Sequence, residues 1–101
     1  MAKLIWHQMN RQLLKGFIGL KKSFDHGDMI RHVYKNSVQT GIIDKEGYLV
    51  SDNLSFTSLS TFATYNKNNV IGRPIVTNGW LECEWRKSDT SWQPAFKKRQ
   101  I

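Results

Sequence analysis

The stretch His32-Val33-Tyr34-Lys35-Asn36-Ser37-Val38-Gln39-Thr40-Gly41-Ile42-Ile43-Asp44-Lys45-Glu46-Gly47-Tyr48-Leu49-Val50 decides the architecture. Apolar and polar residues alternate through His32 to Lys35 and again through Val38 to Ile43, the period of a half-buried strand. The polar pair Asn36-Ser37 between them predicts a tight hairpin. Asp44-Lys45-Glu46-Gly47 is a second turn, in which Gly47 is free to take a positive φ, and Tyr48-Leu49-Val50 opens a third strand. The segment therefore predicts a three-stranded antiparallel meander. Just before it, Ser23 to Asp28 is rich in turn residues, and Asp25 or Asp28 is placed to cap a short helix running through Arg31 or His32.

Moving toward the C-terminus, Ser51 to Ser55 is polar and interrupts the strand pattern. Ser58 then reads as a helix N-cap, with Phe56 and Phe62 near the spacing of a hydrophobic staple. This second helix is expected near residues 59–65, ending before Asn66-Lys67-Asn68-Asn69. Trp80 to Trp85 alternates as a fourth strand, with Leu81, Cys83 and Trp85 on one face and Trp80, Glu82 and Glu84 on the other. The tail at 93–101 reads as extended or frayed. Toward the N-terminus, Leu4, Ile5, Met9, Leu13, Phe17 and Leu20 recur every three or four residues, which predicts an amphipathic helix within residues 1–22. The expectation is one α+β domain with a small antiparallel sheet of three to four strands.

A chain of 101 residues with 40% hydrophobic and 12% aromatic residues is too apolar for a disordered tail. The single cysteine, Cys83, excludes an internal disulfide and suits a reducing compartment. Fifteen Lys and Arg against eight Asp and Glu give a net charge of +7, which attracts polyanions. Met1 to Phe24 carries no acid at all, and the tail closes with Lys97, Lys98 and Arg99. No apolar run reaches the length of a membrane span, so a soluble protein without membrane contact is expected. The basic start also resembles a mitochondrial targeting peptide, although such peptides are Ser- and Arg-rich and this one has one Arg and no Ser before Ser23.

Catalytic readings find little support. Cys83 lies between Glu82 and Glu84, whose charge raises a thiol pKa, the wrong direction for a nucleophile. Asp25, His26, Asp28 and His32 lack a recognised ligand spacing, so no metal or cofactor is expected. Glu82 and Glu84 are acids whose ordinary partners are Lys or Arg on a neighbouring strand. Binding has more behind it. Three of the four Trp follow residue 79, and Trp85 precedes Arg86-Lys87 just as Trp92 and Phe96 precede Lys97-Lys98-Arg99. Cations hold phosphates and rings stack on bases, so this interleaving suits nucleic acid.

Between Val33 and Trp85 the chain also resembles the RAMA (restriction enzyme adenine methylase associated) domain. The resemblance is carried by Tyr34-Lys35-Asn36, the Glu46-Gly47 turn, Phe56-Thr57-Ser58-Leu59-Ser60 and Asn78-Gly79-Trp80, in that order. Asn36 stands for the family's hairpin Gly, Glu46 for its Asp and Leu59 for the Pro of its Ser-Pro-Ser. The resemblance implies a small α+β module at about residues 32–85, appended to DNA-modifying, nuclease or deubiquitinase-like proteins, that binds DNA and senses adenine methylation.

Charge, aromatics and resemblance together predict a non-enzymatic nucleic-acid-binding module, with DNA favoured over RNA, in a nuclear or nucleoid setting. Phosphate contacts are expected from Lys21, Lys22, Lys35, Arg73, Arg86, Lys87, Lys97, Lys98 and Arg99, and a base or groove contact from Trp80 or Trp92. The competing expectations are a small RNA- or ribosome-associated protein and a protein-interaction module. In the latter, Leu4, Ile5, Met9, Leu13 and Phe17 would anchor the N-terminal helix on a partner. No small-molecule substrate is implied.

Overall fold

The computed structural model describes residues 18–73 and 75–99. It is an α+β fold whose strands are β1 (Met29–Tyr34), β2 (Ser37–Ile43), β3 (Leu49–Ser51), β4 (Leu54–Phe56), β5 (Cys83–Arg86) and β6 (Gln93–Pro94). Helices α1 (Leu59–Ile71) and α2 (Gly79–Glu82) fall between β4 and β5. The strands form one antiparallel sheet in the order β4-β3-β2-β1-β5-β6. The predicted N-terminal helix lies almost wholly outside the described residues. Of its last turn, Gly19–Lys22 is a 3-10 helix that buries Leu20.

Alternation on β1 sorts the sheet into two faces. Ile30 and His32 point toward α1 and are buried, while Met29, Arg31 and Val33 point the other way. Residues directly opposite one another share a face, so Trp85 and Cys83 join Ile30 and His32. Ile43, Leu49 and Phe56 line the same inner layer, and Leu59, Phe62 and Ala63 of α1 close it. Complete burial of an Ile, Leu or Phe side chain is worth roughly 1.5–3 kcal/mol, so this layer supplies most of the drive to fold.

The meander is confirmed, with shifted edges. β1 begins at Met29, so Asp25 and Asp28 cap no helix; Asp28 instead accepts the Asp25 backbone N–H at 2.9 Å and tightens the turn ahead of the strand. The β1–β2 turn is Lys35-Asn36 rather than Asn36-Ser37, because Tyr34 pairs with Ser37. The polar interruption after Val50 is itself a hairpin. Asp52 and Asn53 both take positive φ, 53° and 62°, the geometry that matches a two-residue turn to strand twist, and β4 follows.

Ser58 caps α1 as expected, its hydroxyl accepting the Thr61 N–H at 3.1 Å. The helix does not stop before Asn66. It continues to Ile71 and ends at Gly72, whose φ of 80° suits a left-handed cap. Asn66 and Lys67 remain helical because their polar groups find buried partners, described below. Trp80-Leu81-Glu82 is a helical turn rather than the start of a strand. Asn78 accepts the Trp80 N–H at 3.2 Å, and Gly79 donates to Ser60 Oγ at 2.9 Å. A side chain at Gly79 would strike the backbone of Leu59, so this helix rests directly on α1. The tail is built in too, with β6 on β5 and Ala95 buried at the start of the 3-10 helix Ala95–Lys98.

Candidate nucleic-acid interface

Two clusters of cations and indoles sit at the β5–β6 edge, on opposite faces of the sheet. On the helix side, Phe24 stacks on Trp80 with centroids 5.6 Å apart and meets Trp85 at 6.1 Å. The C-terminal segment then lays cations over the same indoles. Lys98 Nζ is 4.6 Å from the Trp85 ring, and the Arg99 guanidinium is 5.6 Å from the Trp80 ring. Lys97 beside them is exposed, as are Lys21 and Lys22 at the end of the 3-10 helix that leads into Phe24.

The open face carries the second cluster. Arg31 and Arg86 each place a guanidinium carbon 4.5 Å from the Trp92 ring. Arg31 also grips Glu84, its cross-strand neighbour, through Nε at 2.9 Å and Nη2 at 2.7 Å. Among the described residues, Arg86 joins no ion pair, and its buried Nε, like the indole N–H of Trp85, has no hydrogen-bond partner. Cation–indole contacts of this kind are worth about 0.5–2 kcal/mol, enough to fix where the charges stand.

The other predicted contacts fall elsewhere. Lys87 lies at the same edge, but its ammonium bridges Asp25 at 2.8 Å and Asp28 at 2.9 Å. Those hydrogen bonds hold its pKa above the ordinary value, and the same ammonium lowers that of Asp25. Lys35 stands in the β1–β2 turn, 5.6 Å from the Tyr34 ring, and Arg73 lies just past the Gly72 cap. Leu4, Ile5, Met9, Leu13 and Phe17 lie outside the described residues. Sequence reasoning missed Arg31. The signal for it was its place two residues after Met29 on the strand that faces β5, which only the register reveals.

Glu82 and Glu84, adjacent on paper, separate completely. Glu84 is on the open face, whereas Glu82, at the end of α2, lies on the helix side, 38% exposed, and accepts from His32 Nε2 at 3.1 Å and from Lys67 Nζ at 2.9 Å. Burial pushes the Glu82 carboxyl up, but the hydrogen bonds from His32 and Lys67 outweigh it and leave the group below its ordinary value. The other ring nitrogen, His32 Nδ1, lies 2.9 Å from Asn66 Nδ2. That amide also donates toward the backbone carbonyls of His32 and Ser37, while its oxygen accepts from Ser37 Oγ at 2.6 Å. Two carbonyls facing Nδ2 fix the amide orientation, which makes Nδ1 the acceptor and Nε2–H the donor to Glu82. His32 is only 1% exposed, and the set is a clamp binding β1, β2, α1 and α2 together.

Cys83 is buried, and burial, with the charges of Glu82 and Glu84, pushes its thiol up to about 12. The comparisons with known proteins add nothing to this picture: no family model, curated protein or solved structure matches the chain.

Proposed function

We propose that this chain is a non-catalytic module that holds the phosphate backbone of nucleic acid, DNA in preference to RNA, through the β5–β6 edge. The observation that carries this reading is the division of charge. Glu82, Glu84, Asp25 and Asp28 are all engaged by Lys67, Arg31 and Lys87. Arg86, Lys98 and Arg99 share in none of those pairs and are arrayed over Trp92, Trp85 and Trp80, with Lys97 exposed beside them. A fixed array of cations suits a polyanion because little side-chain freedom remains to be lost on binding.

Of the two indoles expected to contact a base, one is the better candidate. Both rings carry cations, but Trp80 is also stacked on Phe24, whereas no aromatic ring stacks on Trp92 among the described residues, so Trp92 is the candidate for contact with a base. The preference for DNA rests on the resemblance to the RAMA domain, which also makes adenine methylation the modification to test. The deciding experiment is an equilibrium competition titration of the full chain against duplex DNA with and without N6-methyladenine and against duplex RNA. Tighter binding to DNA supports the reading. Equal binding to RNA removes the DNA preference, and binding neither to any of them nor to a single strand overturns the proposal.

A further inference from the structure

The open face of the sheet holds more than the arginine–indole cluster. Val33 is 48% exposed, Val38 58% and Ile42 49%. Val33 and Val38 are directly opposed, as are Arg31 and Thr40, and then Met29 and Ile42. The Val33–Val38 and Met29–Ile42 pairs thus set aliphatic groups on either side of the Arg31–Thr40 pair, beside Arg86 and Trp92. With neighbouring strands about 4.8 Å apart, the face carries two apolar pairs with a cation between them and further cation and indole groups at its β5 side. Exposed aliphatic side chains are unremarkable singly, but two such pairs on one face beside an indole and an arginine without a carboxylate partner mark an interaction surface.

We infer that this face receives an unpaired segment of nucleic acid, with bases laid on Val33, Val38, Ile42 and Trp92 and a phosphate held by Arg86. The inference rests on the nucleic-acid reading above and narrows its substrate to one with unstacked bases. A regular duplex hides the apolar faces of its bases within the stack and presents a charged backbone, so it offers nothing to three aliphatic side chains. An unpaired strand offers both things the face is built for, apolar base surfaces beside regularly spaced phosphates. Charge decides the class of partner. Arg86 meets no carboxylate among the described residues, whereas Arg31, the cation nearest the apolar pairs, is held by Glu84.

The test compares an oligothymidylate with a mixed-sequence duplex of equal length, using the whole chain, the double variant Val38→Ser/Ile42→Ser and the variant Trp92→Leu. The unmodified chain should bind the single strand more tightly than the duplex. Trp92→Leu should weaken single-strand binding by about tenfold, as expected for loss of one stacked base, and duplex binding far less. The double variant should show the same selective loss. Where melting shows that it has unfolded, Val38→Ser alone carries the comparison, since Val38 is the most exposed of the three. Duplex binding with a weaker or absent single-strand interaction overturns the inference and leaves the nucleic-acid reading standing. Equal losses on both ligands, or none, also overturn it. Failure to bind either ligand overturns both, and points to an acidic protein as the occupant of the face.

Discussion

Replacing Asn66 by Ala attacks the fold at the point where its parts are joined. The side chain is completely buried and satisfies Ser37 Oγ, the Ser37 and His32 carbonyls and His32 Nδ1. Each buried polar group left without a partner costs about 1–3 kcal/mol, and four are touched. The Ser37 hydroxyl can rotate, and the amide N–H bonds are shared among three acceptors, so the costs will not simply add. A loss of about 3–4 kcal/mol follows, a large part of the roughly 5–10 kcal/mol that holds a domain of this size. In Tm this is a fall of about 12–25 °C. Urea denaturation followed by far-UV circular dichroism measures it, with Val76→Ala, at a fully solvated side chain, as the control expected to move stability by less than about 0.5 kcal/mol. A loss below about 1 kcal/mol for Asn66→Ala would refute the reasoning, because it would mean that the amide has no partners to lose.

Three further outcomes follow from the same contacts. Because the Glu82 carboxyl is held below its ordinary value of 4.5, its contribution is present above that pH and is lost as pH falls through the lowered folded value; Glu82→Gln should therefore flatten the acid limb of a stability-against-pH curve, and an unchanged limb would count against the clamp. Cys83, with its thiol pushed up to about 12, should resist a thiol-specific reagent at pH 8 in native protein and react on unfolding, so rapid native labelling would contradict its burial. Gly79→Ala should cost about 3 kcal/mol or more, since the new methyl group meets the Leu59 backbone, and a melting temperature near that of the unmodified chain would show that α2 does not rest there.

The sequence was informative where one local rule dominated. The three-stranded meander, with its strand edges and first turn shifted, the turn at Gly47 and the cap at Ser58 were legible, because period and turn chemistry suffice for them. It was uninformative where a distant partner decided the outcome. Asn66 and Lys67 look like a loop, yet they continue α1 because His32, Ser37 and Glu82 receive their polar groups. Trp80 to Glu82 alternates well enough for a strand, but Asn78 caps a helical turn there and α1 supports it. β4 was hidden by its three-residue length, although Asp52-Asn53 carried the turn signal. At the candidate interface the residue types were legible and their grouping was not. That Trp85 and Arg86 point to opposite faces follows from strand alternation, but that Lys98 covers Trp85 and that Arg31 joins Arg86 at Trp92 depends on the tail and the register.

Salt dependence of binding tests the central claim most directly. With Arg86, Lys97, Lys98 and Arg99 on phosphates, log K against log salt should have a slope of about −3 to −4, and Lys97→Gln/Lys98→Gln/Arg99→Gln should make it shallower by about 2–3. A slope near zero, or one unchanged in the triple variant, would contradict the account.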